Sequence, residues 1–270
     1  MVTRGGAYNA AMIALTPART RFGRADLQIH TAHGDGMAGA QALLDHVELR
    51  TDLDVIAVTD HDDVRGALIA RELHARGHYR FELVSGIELT TRSGHLLALW
   101  VEEPLSSLRS LAASVEAVHR AGGLAVVPHP FSWLTRSVGR RTLDGLLASS
   151  DGASHPDGIE VANTTPAGRV TGAQALRRNR ERYGLAETGG SDAHFLEAVG
   201  TAATIFPGRS AAELRQAIEE RRTRGYAGRP PSLRRLGARR LAAQQVRGLS
   251  DTPRKLIAAR WRRLRAAASG

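Results

Sequence analysis

From Arg24 onward, short runs of apolar and β-branched residues alternate with longer stretches whose apolar positions recur at i, i+3 and i+4. The short runs are ADLQIHTA, DVIAVTDH, FELVSGIELTT, HLLALWV, GLAVVPHP, GIEVAN, LAETGGSDAH and ATIF. Between many of them lie AGAQALLDHVEL, RGALIARELHARG, LRSLAASVEAVHRAGG, QALRRNRERYG and AAELRQAIEERR, which predict amphipathic helices. Gly77, Gly122 and Gly184 stand where those helices need a C-cap. Strands alternating with helices predict an α/β fold with a mostly parallel sheet and right-handed crossovers.

The polar residues are not scattered. They gather at the carboxyl ends of the strand runs, as QIH, TDHDD, GIE, PHP, EVAN and GGSDAH. A closed α/β barrel brings those ends to one face. An open doubly wound sheet would spread them along a line. The pattern therefore favours a barrel over residues 24–228. Residues 1–23 read as a loosely ordered extension. After Gly228 a Pro-Pro break opens a third segment, 229–270, with two helical stretches at about Ser232 to Arg247 and Thr252 to Ala267.

Charge sharpens that division. The chain of 270 residues has a net charge of +10, yet 229–270 alone holds twelve Lys and Arg against the single acid Asp251. The rest is close to neutral. Three readings of the tail follow: helices packed on the barrel with solvated arginines, an arm that contacts nucleic acid with Trp261 available for stacking, or a contact with an anionic membrane surface. The chain has no cysteine, which excludes disulfides and thiolate metal sites. No apolar run is long enough for a membrane span, and the first 22 residues do not read as a signal peptide, so a cytoplasmic location is expected.

The stretch ADLQIHTAHGDG crowds Asp26, His30, His33 and Asp35 together, with Gln28 where a second imidazole would complete a His-x-His pair. A His or carboxylate recurs at nearly every strand end, and such groups are costly there unless paired or bound to metal. The ordered set resembles the polymerase and histidinol phosphatase (PHP) family of metal-dependent phosphoesterases. The resemblance rests on Asp26 to Gly36, Val58 to His61, Gly86 to Glu88, His95, His129-Pro130 and Gly190 to His194, and covers about residues 24–228.

It implies a distorted (β/α)7 TIM-like barrel and two to three divalent ions, of Mn, Fe or Zn, with Mg tolerated. One ion would take His30, Glu88 and Asp192, with Gln28 in the fourth place. A second would share Glu88 and add His95 and His129. A third would use Asp35, His61 and His194. The implied chemistry is attack on phosphorus by a hydroxide held on the ions, with Glu88, Asp192 and His129 as the catalytic shell. Gln28 departs from the family's imidazole and is expected to weaken the first site for Zn, or only to hydrogen-bond within the shell. HGDG in place of SDG puts His33 near the mouth, either behind the ligands or in solvent, and not as a ligand itself. Asp60 or Asp62 is expected to orient an imidazole. Asn163 would hold a water or a substrate oxygen, and Glu160 reads equally well as structural. Arg136, Arg140 and Arg141 are the candidate phosphate-binding residues. The favoured substrate is a nucleotide or short oligonucleotide. The alternatives are a small-metabolite phosphatase of the histidinol-phosphate type, or a non-catalytic nucleic-acid-binding protein with a degenerate first site. Oligomeric state is left open.

Overall fold

The computed structural model describes residues 21–149 and 151–249. Nine strands form one sheet: β1 (Phe22–Ile29), β2 (Val55–Val58), β3 (Glu82–Thr91), β4 (Gly94–Leu99), β5 (Leu124–Val127), β6 (Gly158–Ala162), β7 (Ala186–Gly189), β8 (Ala202–Pro207) and β9 (Arg224–Ala227). The helices are α1 (Ala40–Arg50), α2 (Arg65–Arg76), α3 (Leu111–Arg120), α4 (Arg140–Leu147), α5 (Pro166–Arg178), α6 (Ala211–Glu219) and α7 (Leu233–Leu236). All eight strand runs named from the sequence are present. β9 and α4 are additional. β9 is a four-residue, largely exposed RGYA, and α4 is short, interrupted by Gly145 and fully buries only Leu143. Neither leaves a strong periodic trace.

Sheet order is β7-β6-β5-β4-β3-β2-β1-β8-β9. The triplets β1-β2-β3 and β5-β6-β7 are parallel, but β4 runs antiparallel to both neighbours, and β8 is antiparallel to β1 and β9. The sheet is thus evenly mixed rather than mostly parallel. The reason is local: only Arg92 and Ser93 separate β3 from β4, a link long enough for a hairpin and far too short for a crossover. Beyond β7 the chain turns back onto β1. Ile29 bridges Ala193 in parallel, His30 N donates to Ala193 O at 2.9 Å, and Ala193 N donates to Gln28 O at 3.2 Å. These contacts bring the segment after β7, one edge of the sheet, against β1, giving a nearly closed barrel of the distorted TIM type.

Helices cover the outside. Leu43, Leu44 and Val47 of α1 and Ala67 and Ala70 of α2 pack with Ile29, Ile56 and Val58. On another side Leu111, Val115 and Val118 of α3 pack with Ile87, Leu89, Leu96 and Val127. Strands covered on both faces bury every side chain, which is why β2 and β5 read as unbroken apolar runs. The helix ends follow the local chemistry. Thr165 caps α5 ahead of Pro166, and Ser210 with Glu213 makes a capping box on α6. Gly77 caps α2, Gly122 at φ +76° follows the last turn of α3, and Gly184 closes the π-turn after α5 at φ +62°.

The first part of the basic tail lies on the barrel. The expected helix over Ser232 to Arg247 is two helices, α7 and 238–249, broken at Gly237 with φ +81°. Arg240 pairs with Glu197 through both amino groups, at 2.7 and 3.2 Å, and lies 5.1 Å from the Phe195 ring centre. The expected extension 1–23, apart from its last residues, and the helix over Thr252 to Ala267 with Trp261 fall outside the described residues. Among the described residues no helix is long and apolar enough to cross a membrane.

Candidate metal centre

Along β1 the side chains alternate, so Asp26, Gln28 and, one step past the strand, His30 share a face. The turn beyond is tightly wound. Gly34 N and Gly36 N both donate to Thr31 O at 3.0 Å, and a Cβ on Gly36 would stand 2.2 Å from His30 O, so only glycine fits. Thr31 is held in turn by Asp60, which accepts from its backbone N at 2.7 Å and its hydroxyl at 2.6 Å. This turn swings Asp35 back over His30.

The strand ends then supply the other groups, as the sequence pattern predicts. Glu88 lies in β3, 1% exposed, and each of its two oxygens faces a different set of partners. Oε1 lies 2.7 Å from His95 Nδ1 and 3.2 Å from His129 Nε2. Oε2 lies 2.9 Å from Gln28 Nε2, 3.1 Å from His30 Nε2 and 3.7 Å from His61 Nδ1. His30 Nε2 also lies 3.2 Å from Asp192 Oδ1, and His194 Nε2 is 3.0 Å from Asp35 Oδ2. Three groups result in which one ligand atom per residue lies within 4.8 Å of the others: His30, Glu88 and Asp192; His61, Glu88 and His95; and His30, Asp35, His61 and His194. The middle group differs from the set implied by the resemblance, since His61 stands in it. His129 reaches the same Glu88 oxygen from the other side.

The donor set fits divalent cations. His30 Nε2 and His95 Nδ1 are buried beside carboxylate oxygens, yet are not aligned on them as hydrogen bonds, and Asp35 Oδ1 and Gln28 Oε1 are buried with no hydrogen-bond partner. Ligand atoms that converge on shared points instead of on one another suit an ion between them. The protonation pattern agrees. Burial opposes charge throughout, but Asp192 and Glu88 hold the His30 imidazole well above its ordinary pKa, and Glu88 lifts His129 to about 9. Burial also opposes ionisation of Asp35, but His194, His30 and His61 keep its carboxyl well below the usual range. Protons on His30 and His129 here balance part of the carboxylate charge, a task that cations perform in a loaded site.

Gln28 acts as a donor. Its amide nitrogen, which cannot ligate, faces Glu88, so the observed geometry is a hydrogen bond within the shell. Asp26 does not join the ligands. It accepts from Ser191 N at 2.8 Å, Ser191 Oγ at 2.5 Å and Gly200 N at 2.8 Å, and so pins the GGSDAH loop to β1; burial lifts its pKa to about 6. Asp62 accepts from Thr90 N and Oγ1, both at 2.7 Å, and from Ser107 Oγ at 2.5 Å. His129 is oriented by Ser137 Oγ, 3.0 Å from Nδ1, a partner the sequence reading missed. His33 Nε2 sits 3.3 Å from Asp63 Oδ2.

Glu160 accepts from His129 N at 2.7 Å and Asn163 Nδ2 at 2.8 Å, and burial pushes it up to about 8. Asn163 Oδ1 accepts from Thr165 N at 2.8 Å and Thr165 Oγ1 at 2.7 Å, so Asn163 buttresses Glu160 and the turn into α5. Arg136, Arg140 and Arg141 are exposed, on the loop after His129 and at the start of α4. On the same loop Trp133 is 77% exposed, a feature the sequence reading passed over. Two of the candidate ligands, His129 and Asp192, have φ of +29° and +53°, the left-handed region that non-glycine residues avoid, as do Asp62, Trp100, Leu108, Phe131 and Arg221.

Such a barrel, with imidazoles and carboxylates in adjoining groups at the strand ends, defines a PHP-type fold and centre. The family model described as PHP-associated matches residues 174–223. An uncharacterised protein of Methanocaldococcus jannaschii is 31% identical over 150 residues, covering 52% of this chain and 81% of its own length. A two-domain Bacteroides vulgatus protein containing a predicted PHP-like metal-dependent phosphoesterase superposes with a TM-score of 0.63 at 20% identity, over 77% of this chain and 66% of that one. The lesion-specific endonuclease of Pyrococcus furiosus superposes with a TM-score of 0.53 at 14% identity, over 74% of this chain and 56% of that one. The chain thus carries a PHP-associated segment and the PHP-type fold.

Proposed function

We propose that the protein is a metal-dependent phosphoesterase, and that its substrate is a nucleotide or short oligonucleotide. The observation that carries the first part is Glu88, whose two oxygens serve two different imidazole sets and could therefore hold two ions side by side. When bound, divalent ions of the Mn, Fe or Zn kind supply charge for the phosphoryl oxygens and lower the pKa of water. The chain's own residues do the rest. Asp35, Glu88 and Asp192 provide the anionic ligands, and His30, His61, His95, His129 and His194 the neutral ones. Asp26 and Asp60 hold the two loops that carry them. Exposed Arg136, Arg140 and Arg141 would supply guanidinium to a substrate phosphate beyond the ions. Exposed Trp133 beside them favours a substrate with an aromatic base, since base–aromatic stacking contributes ~1–3 kcal/mol. The fold neighbour that is an endonuclease supports the same substrate class.

The test is elemental analysis of protein purified without chelator, followed by a screen of phosphomonoesters and phosphodiesters. Two or three ions per chain, with both ions and hydrolysis lost in Glu88→Gln, are expected. A well-folded wild type that retains no ion and cleaves nothing sinks the reading. A Trp133→Ala variant that hydrolyses nucleotides and aliphatic phosphates in unchanged ratio removes the substrate assignment alone.

A further inference from the structure

The helix 238–249 comes from the far end of the chain, yet it faces the turn that carries Asp35. Three of its positions, spaced i, i+3 and i+4, make the contact. Gln244 is buried, and its Nε2 lies 3.5 Å from Asp35 Oδ2. Arg247 donates through Nη2 to Ala32 O at 2.8 Å and to Gly34 O at 3.2 Å. Gly248 comes so close that a Cβ there would stand 3.1 Å from Asp35 Oδ2. Each contact falls on Asp35 itself or on the two carbonyls just before it. Arg240, at the start of the same helix, anchors it to Glu197 just beyond the GGSDAH loop that carries His194.

We infer that this helix is the roof of the metal centre, in which Gln244 and Arg247 are positioning residues for Asp35 and thereby set the affinity of the His30–Asp35–His61–His194 group for its ion. The inference rests on the proposed metal centre and assigns to the tail a role at that site. The physical argument is one of orientation. Asp35 Oδ2 takes His194 and Gln244, while Oδ1 is buried with no hydrogen-bond partner and is 3.7 Å from His30 Nδ1. A carboxylate gripped by one oxygen presents the other in a fixed direction. Arg247 does the same for the backbone, because two carbonyls on one amino group stop the Ala32–Gly34 segment from rotating.

Groups behind ligands typically change metal affinity by about 10- to 100-fold when removed. The experiment is Mn(II) binding to the full chain, followed by the electron paramagnetic resonance signal of free Mn(II), with Gln244→Leu, Arg247→Ala and Arg247→Lys compared with wild type and with His194→Ala. The Co(II)-loaded proteins are compared by visible absorption. The expected result is one class of Mn(II) weakened by at least about tenfold in Gln244→Leu and Arg247→Ala. It is the same class that His194→Ala removes, with the other ions unaffected, partial recovery in Arg247→Lys, and altered Co(II) bands. A general loss of folding would move every class together and the thermal midpoint with them, and would count against positioning. Wild-type affinities in both variants overturn the roof and leave the metal centre standing. A wild type that binds no Mn(II) or Co(II) overturns both.

Discussion

Gln28 and Glu88 show how one side chain can retune a shared site. Glu88 needs a donor on Oε2, and an amide supplies one where the family's imidazole would supply a lone pair. Gln28→His should therefore tighten Zn(II) binding at the His30–Glu88–Asp192 group, on the order of tenfold, without changing the number of ions held. Competition titration with a chromophoric chelator measures it, and equal or weaker affinity would show that the position lies outside the coordination sphere. The ligand types themselves were readable from the chain, because each sits at the end of an apolar run where an unpaired charge is costly. Their partners were not. Ser137 behind His129 and Thr31 beneath Asp60 are ordinary hydroxyl residues with no pattern to mark them, and their role exists only once the turns are folded.

At the level of elements, apolar periodicity located eight strands and five of the seven labelled helices, but said little about direction. Whether two strands run parallel depends on the length of the link between them, and the two residues between β3 and β4 carry that information more clearly than the strands do. A second packing device acts at the helix α3 end. His119 Nδ1 faces Ala153 O at 2.9 Å and Nε2 faces Asp157 Oδ2 at 2.9 Å, while Asp157 also accepts from Ala125 N at the start of β5. The hydrogen bond to Asp157 raises the His119 pKa against the opposing effect of burial. A raised folded-state pKa stabilises most when the group is protonated in both states. The contribution is therefore complete below the unfolded value of about 6.5 and fades as pH climbs through the folded one. The gap in thermal midpoint between wild type and His119→Gln should be wide at acid pH and narrow at alkaline pH. A gap that is constant, or that grows with pH, would refute the assignment.

Over the whole molecule, the barrel's closure and its chemistry depend on the same contacts. Asp26 reaches Ser191 and Gly200, and Ile29 bridges Ala193, so the seam of the barrel runs directly beneath Asp192. Ions at that seam would tie the segment after β7 to β1. Each site held at a hundredfold excess over its dissociation constant adds about 2.7 kcal/mol to stability, so chelation should lower the thermal midpoint by several degrees per ion removed. Differential scanning calorimetry with and without chelator tests this, and an unchanged midpoint in protein shown to have lost its ions would separate the centre from the seam. The barrel class was legible because polar clusters on successive strand ends demand a common face. The roof helix was not, since 209 residues separate Gln244 from Asp35 and no local pattern predicts so distant a contact.

The placement of the ligands along the chain also bears on synthesis. A ribosome releases the polypeptide from its amino end, and His61, Glu88 and His95 have all emerged once the hairpin β3-β4 is made. Both groups that contain His30 must wait for Asp192 and His194, and the roof comes about fifty residues later still. The protein would thus meet its first cation as a half-made sheet and its last as a finished barrel, with the timetable of loading written in the order of its residues.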